Sequence, residues 1–268
     1  MPPRAPLVAF AGLLGACVLG FRGEADLTGS HDLAGVRSVR IDLPSTPMSI
    51  TACDPDAAGT CPEALRYDGR VLATGGSDRD ARRHALAPAL VFERDGGLGW
   101  LQADIPLSVR GLVDLELASI ELPSDRDLEV RTDLGDVEIA SVRGYVSVEV
   151  ERGDVTIDGG DAGVAVALGV GTIAVTTAGD ADLRSAYGRV ALEQTAAGRD
   201  AIVHAGGAVS VVQPALFDVE YDIEATGTIR STTDAVGAIA DGHLRRRVGS
   251  GATRVEIRAD GDVAIDEP

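Results

Sequence analysis

The sequence contains no lysine: all 24 basic residues are arginine, and 42 Asp and Glu residues leave a formal net charge of −18 over 268 residues. Without lysine there is no phosphate-cradling Gly-Lys-Ser/Thr loop, and nothing else in the chain calls for a cofactor. An acidic excess of this size also excludes a nucleic-acid backbone as partner, since phosphates are held by clustered cations. Aromatic residues are scarce at 3%, four Tyr, four Phe and one Trp. That leaves few stacking platforms for sugar rings and makes the core aliphatic. The single tryptophan, Trp100, lies beside Leu101 in an alternating segment and is expected in that core. His31, His84, His204 and His243 are scattered, without the spacing of metal ligands. What is abundant is apolar residues, 45%, and 33 glycines, the composition of a folded chain that turns often.

The N-terminus reads as a targeting segment spanning the first 23 residues. Arg4 supplies a positive start, and an uncharged apolar run leads from Pro6 to Ala16 and Cys17. With 17 uncharged residues between Arg4 and Arg22, several of them Gly or Ala, the run is short for a membrane-spanning helix, so cleavage is expected. Leu14-Gly-Ala-Cys17 resembles the lipobox of bacterial lipoproteins. The resemblance implies a signal peptide over residues 1–16, lipidation of Cys17 and a multi-chain membrane anchor. Val18 rather than Asp after the cysteine implies sorting to the outer membrane. Residues 17–35 then form a lipidated start and a polar tether, with Gly29, Ser30, His31 and Asp32 and no periodicity. Cys53 and Cys61 flank Asp54-Pro-Asp-Ala-Ala-Gly-Thr60, a loop of turn formers. With Cys17 acylated they are the one remaining pair, and an oxidising envelope would join them in a structural disulfide.

From Val36 the chain is strand-like. Val36–Ile41 and Met48–Thr51 carry spaced apolar residues, punctuated by Pro44 and Pro47. One helix is expected, with Ser77 capping Asp78–Leu86, acid first and base later, ending before Pro88. Strands resume at Ala89–Arg94, Gly99–Ile105 and Leu112–Leu122, with Asp95-Gly-Gly97 as the turn between the first two. After Pro123 the chain repeats itself. A Gly-x-Val/Ile corner recurs at Gly135, Gly153, Gly171, Gly188, Gly207, Gly227 and Gly261, the first six separated by 18, 18, 17, 19 and 20 residues. Between corners lie two short segments of period two, such as Val146–Val150 and Val155–Ile157. Such a unit cannot bury its own apolar face, and stacking like units does so. The expected fold is all-β: a right-handed parallel β-solenoid over 124–268, continuous with a β-rich N-terminal cap over 36–123. The last strand, near Val255–Ile265, is expected to close the far end.

The passage Ile120-Glu-Leu-Pro-Ser-Asp-Arg-Asp-Leu-Glu-Val-Arg-Thr-Asp-Leu-Gly-Asp-Val-Glu-Ile139 resembles the signature of the bacterial DUF4097 family of adhesin-like proteins, related to the GIN-domain head group, over residues 36 to 265. The resemblance implies a β-helical, exported or membrane-attached protein.

Candidate chemistry is sparse. Asp136 and Asp154 hold equivalent corner positions, so adjacent coils would bring them close enough to share a cation such as calcium. Thr172 and Arg189 then break the column, and Asp after Gly also bonds its own backbone in turns, so two carboxylates make a weak metal candidate. Arg245, Arg246 and Arg247 form the one cationic run, suited to an anionic partner, to lipid headgroups or to acidic corners of the same molecule. The expectation is a non-enzymatic cell-envelope lipoprotein, membrane-held through its lipid, with a solenoid face as scaffold or adhesin-like surface for a protein or glycan. The alternative is a polysaccharide-active β-helix enzyme, which requires acids from consecutive turns to converge in one groove.

Overall fold

A computed structural model describes residues 20–54, 61–214, 218–232 and 242–267. Lipobox residues 14–17, Cys17 among them, lie outside the described residues. The N-terminal half runs β1 (Phe21–Asp26), β2 (Gly29–Asp32), β3 (Ser38–Asp42), β4 (Met48–Cys53), β5 (Ala64–Gly75), α1 (Asp78–Ala85), β6 (Ala89–Asp95), β7 (Leu98–Asp104) and β8 (Val113–Pro123). Helix α1 forms as the sequence dictates. The Ser77 hydroxyl accepts the Asp80 N–H, Asp78 and Asp80 sit in the first turn, Arg82, Arg83 and His84 in the last, and Ala81 and Ala85 are buried. Cys53 and Cys61 are disulfide-bonded, with Cα atoms 5.5 Å apart. Closing a loop this short contributes about 2 to 3 kcal/mol.

The repeat region continues with β9 (Asp127–Leu134), β10 (Val137–Val142), β11 (Val146–Arg152), β12 (Val155–Gly159), β13 (Val164–Val170), β14 (Ile173–Thr177), β15 (Ala181–Tyr187), β16 (Val190–Gln194), β17 (Ala201–Ala205) and β18 (Val209–Val212). Even-numbered strands join the first sheet, odd-numbered strands the second, and within this region every pairing is parallel. Register is set by the alternation, because a slip of one residue would turn every aliphatic outward. Ile139, Ile157, Val175, Leu192 and Val211 thus stack in one buried column of the first sheet. Val130, Val148, Val166, Leu183 and Val203 form its counterpart in the second. Each such side chain contributes about 1.5 to 3 kcal/mol on burial. β3 and β4 join the same stack, parallel to β9 and β10.

The corners explain the glycines. Gly153 and Gly171 have φ of 149° and 144°, and a Cβ on either would run into the carbonyl oxygen of the preceding corner, Gly135 or Gly153. Gly207 meets the carbonyl of Gly188 in the same way without a positive φ, so close stacking alone suffices there.

The chain ends with β19 (Val219–Ala225), β20 (Ile229–Ser231), β21 (His243–Val248), β22 (Thr253–Ala259) and β23 (Val263–Asp266). Here the structure departs from expectation. The last coil does not close the far end: β22 lies between β17 and β19, and β23 between β18 and β20, all parallel. Gly261 therefore stacks on Gly207, and Gly227 stacks on Gly261. The physical reason lies in alternation. β22 buries Thr253, Val255, Ile257 and Ala259 and serves as an interior strand, whereas β21 buries only Leu244 and turns its arginines outward. β21 pairs antiparallel on β19 and blunts the edge with charge.

The N-terminal tether is a second correction. Within residues 17–35, β1 and β2 pair antiparallel with β5, and Leu27 and Leu33 are buried. β1 also begins inside the span read as targeting segment. The partner, β5, has no counterpart in the sequence reading. Its alternation of Leu65, Tyr67, Val71 and Ala73 breaks at Asp68/Gly69, where a bulge shifts the register against β8. Together the described residues form two mixed sheets of 12 and 11 strands, antiparallel at the β1–β5–β8, β6–β7 and β19–β21 margins. Among the described residues no helix is long and apolar enough to cross a membrane.

Gly171→Ala should cost on the order of 3 kcal/mol, from forbidden φ plus collision with the neighbouring corner. Gly96, at φ 59° with open space around it, is the control, and Gly96→Ala should cost about 1 kcal/mol. Chemical denaturation measures both, and equal costs would contradict the stacking argument. His31 offers a second check. Its ring stacks on Phe92 at 4.8 Å and faces Tyr67 at 5.7 Å, and burial, then Arg94, hold its pKa below the usual 6.5. The unfolded chain binds the proton more readily, so stability falls as pH drops below 6.5 toward the folded value. Melting curves between pH 7.5 and 5 should show a smaller acid loss for His31→Phe than for the parent; parallel losses would refute this.

Candidate functional site

The corner acids are placed by the coil repeat and act on backbone. Asp136 Oδ1 accepts the N–H of Asp154 at 2.9 Å, and Asp154 Oδ1 accepts that of Thr172 at 2.7 Å. Each carboxylate thus bonds the next coil's backbone rather than its own. The opposite corners repeat the device: Asp127 accepts from Tyr145, Asp180 from Asp200, and Asp200 from Arg254. Asp262 takes both the N–H and the hydroxyl of Thr228, and those bonds hold its pKa below the usual carboxylate range. Asp136 and Asp154 belong to no group of three metal-ligating side chains among the described residues.

The outward face of the second sheet carries the charges that face one another. Outward side chains lie in two rows across the strands, and neighbouring strands are about 4.8 Å apart. One row runs Asp42, Arg131, Glu149, Ala167, Arg184 and His204, the other Arg40, Glu129, Ser147, Ala165, Asp182 and Ile202. On the N-terminal side Arg131 reaches Glu129 at 2.9 Å and Glu149 at 3.4 Å. On the C-terminal side Arg184 holds Asp182 through two bonds of 2.9 and 3.0 Å, which raises its pKa. His204 approaches Glu256 at 3.6 Å. Between them β13 presents Ala165, Ala167 and Gly169, with Val170 exposed at its end. The missing side chains open a groove of about 730 Å³, floored by Ala167 and Gly169 and walled by Arg131, Glu149 and Glu151 on one side and Arg184 and His204 on the other. Glu149 and Arg184 are two strands apart, about 10 Å across the gap. A ligand bearing a cation and an anion at that separation matches both walls.

A second cluster escaped the sequence reading. Asp222 and Glu224 on β19 and His243 on β21 bring one ligand atom each within 4.8 Å of the others. The antiparallel register sets Glu224 opposite His243, which no spacing along the chain reveals. Arg258 already lies between the acids, 3.5 Å from Asp222 and in contact with Glu224. A divalent cation would have to displace that guanidinium.

Arg245, Arg246 and Arg247 fall on β21 opposite Asp222, Tyr221 and Glu220, and Arg245 pairs with Glu220 at 3.4 Å. The acids beside this run, Glu220 and Asp222, lie within strand β19 rather than at a corner. Trp100 is not a core residue. It is half-buried on the outer face of β7 with Arg40 stacked 5.4 Å from its ring, while Leu101 points inward.

The chain resembles three solved structures at low identity. A "putative cell adhesion protein" of Clostridium sporogenes matches at 11% identity over 91% of this chain and 100% of its own, with a TM-score of 0.34. A "putative adhesin" of Bacteroides fragilis matches at 12% over 90% and 97%, with a TM-score of 0.29. Another of Parabacteroides distasonis matches at 8% over 93% and 98%, with a TM-score of 0.22. No protein-family model matches the sequence, and no curated protein does. The DUF4097 resemblance therefore rests on the sequence motif alone.

Asp154→Ala should lose about 1 kcal/mol of stability, Asp154→Asn much less, and added calcium should not shift the melting temperature of the parent protein. A calcium-dependent rise that vanishes in both variants would restore the metal reading.

Proposed function

We propose that the protein is a non-enzymatic cell-envelope lipoprotein in which a right-handed β-solenoid serves as scaffold and adhesin-like binding surface. In this reading residues 1–16 are removed, Cys17 carries the lipid, and the stack is held at the outer membrane. The observation that carries the binding role is the alanine gap on the second sheet. At β13 the ladder of charged side chains is interrupted, so Glu149, paired with Arg131 on β9, and Arg184, held by Asp182 on its own strand, border an open floor from either side. An extended polymer with amines and carboxylates fits such a groove. Peptidoglycan, whose stem peptides carry both, is the envelope polymer of that chemistry.

The binding reading is preferred to the enzyme on the surroundings of the acids. Glu149 pairs with Arg131, Asp182 with Arg184, and Asp136 and Asp154 are committed to backbone N–H groups. A hydrolase needs one carboxyl group held protonated beside another held ionised.

The protein should co-sediment with purified peptidoglycan sacculi, and Ala167→Trp, which fills the groove from an exposed position, should weaken that at least tenfold while leaving the melting temperature unchanged. Equal sedimentation of the two proteins, or none by either, would overturn the groove as binding site. Release of soluble fragments that stops on Glu149→Gln would favour the enzyme.

A further inference from the structure

We infer that the capped end of the stack, built from β1, α1 and the β7–β8 connection, is a membrane-docking face that lies against an anionic bilayer. Eight large hydrophobic side chains are exposed among the described residues, and four of them, Phe21, Leu86, Leu107 and Leu112, gather at this end. Strand pairing brings them together. Phe21 pairs with Gly75, and the adjacent Thr74 gives its N–H to the Leu112 carbonyl at 2.9 Å. His84 Nδ1 lies 2.7 Å from the Thr74 carbonyl, and Leu86 follows two residues later as the cap of α1. Leu86 and Leu107 each stand three residues from the Ala89–Asp104 pair. Leu107 and Leu86 are 80% and 76% exposed, too open for core residues that merely fall short of cover.

Charge points the same way. Residues 20–26, 76–88 and 105–112, which span β1, α1 and the β7–β8 connection, hold five arginines against four acids in a chain whose net charge is −18. Arg83 bonds Asp80, whereas Arg22, Arg79, Arg82 and Arg110 are exposed and form no ion pair with a described carboxylate. Apolar side chains ringed by arginine are what a headgroup and acyl boundary takes up, and anionic headgroups draw the cations to it. At the other end Arg245 of β21 pairs with Glu220, and the described residues of β19 to β23 expose no large hydrophobic side chain.

Chain continuity identifies a bilayer as the occupant. Gly20 enters β1 at this face, and Cys17 is three residues upstream, a span of at most about 11 Å. The inference rests on the lipoprotein reading to that extent: an anchor at Cys17 would hold this end, and no other, within reach of the headgroups.

The test uses full-length protein on vesicles of phosphatidylethanolamine and phosphatidylglycerol containing brominated acyl chains. In a Trp100→Phe background, Leu107→Trp places the sole tryptophan on the proposed face, and Ser210→Trp places it on the exposed flank of β18. Quenching at position 107 should exceed that at 210 at least twofold. It should weaken with Arg79→Glu plus Arg82→Glu while the protein stays with the vesicles. Equal quenching, or a position 107 that remains open to iodide on vesicles, as expected if the bilayer does not cover it and a protein partner does, overturns the face. Metabolic palmitate labelling, lost in Cys17→Ala, reads the anchor separately. Labelling without differential quenching removes the face and keeps the anchor, and quenching without labelling does the reverse.

Discussion

Every coil of this protein depends on its neighbours for backbone hydrogen bonds. In the parallel region the N–H that opens a strand bonds the corner carbonyl of the next coil, as Val137 does to Asp154, Val155 to Thr172 and Ile173 to Arg189. A coil can be added to such a stack only if its outline repeats that of the coil below. The aliphatic columns, the corner glycines and the recurring aspartates all follow from that constraint. Glycine lets corners approach until a carbonyl fills the space of a missing Cβ, and aspartate supplies an acceptor for an N–H the ladder would leave over. Part of the large acidic excess is thus structural.

Where one residue is small, the same constraint produces shape. A strand cannot step back from its sheet, so the alanines of β13 leave a trough bounded by whatever the flanking coils present. Because those coils carry paired charges, the trough is edged by Glu149 and Glu151 on one side and by Arg184 on the other, each side with its own counter-charge close by. The electrostatic character of the groove belongs to the register rather than to any single motif.

Legibility in the sequence followed the same logic. Strands β9 to β18 could be read because aliphatics alternate between glycine corners, and α1 because Ser77 and the order of its charges mark a start and an end. β5 was hidden by a bulge that shifts its period midway. β1 and β2 were hidden because the inward residue of β1 is Gly23, whose missing side chain admits the backbone of α1 at Ala81 and leaves no hydrophobic signal. The acids at Asp136 and Asp154 were found, but their role turned on a bond to the following coil. The alanine gap and the Asp222–Glu224–His243 cluster exist only across strands, so no spacing along the chain discloses them. Spacing likewise could not tell which edge the coil at Gly261 would join.

That coil carries a consequence for how the molecule is made. A polypeptide emerging from its N-terminus completes β19 and β20 before β22 and β23 exist. In that interval the edges of β17 and β18 are bare, and the nearest strands able to cover them are ones that finally belong one layer farther out. Assembly therefore cannot proceed as simple addition, layer upon layer, in the order of synthesis. Either β19 and β20 wait, or they dock early and must be prised away to admit β22 and β23, so maturation hinges on the arrival of those two strands.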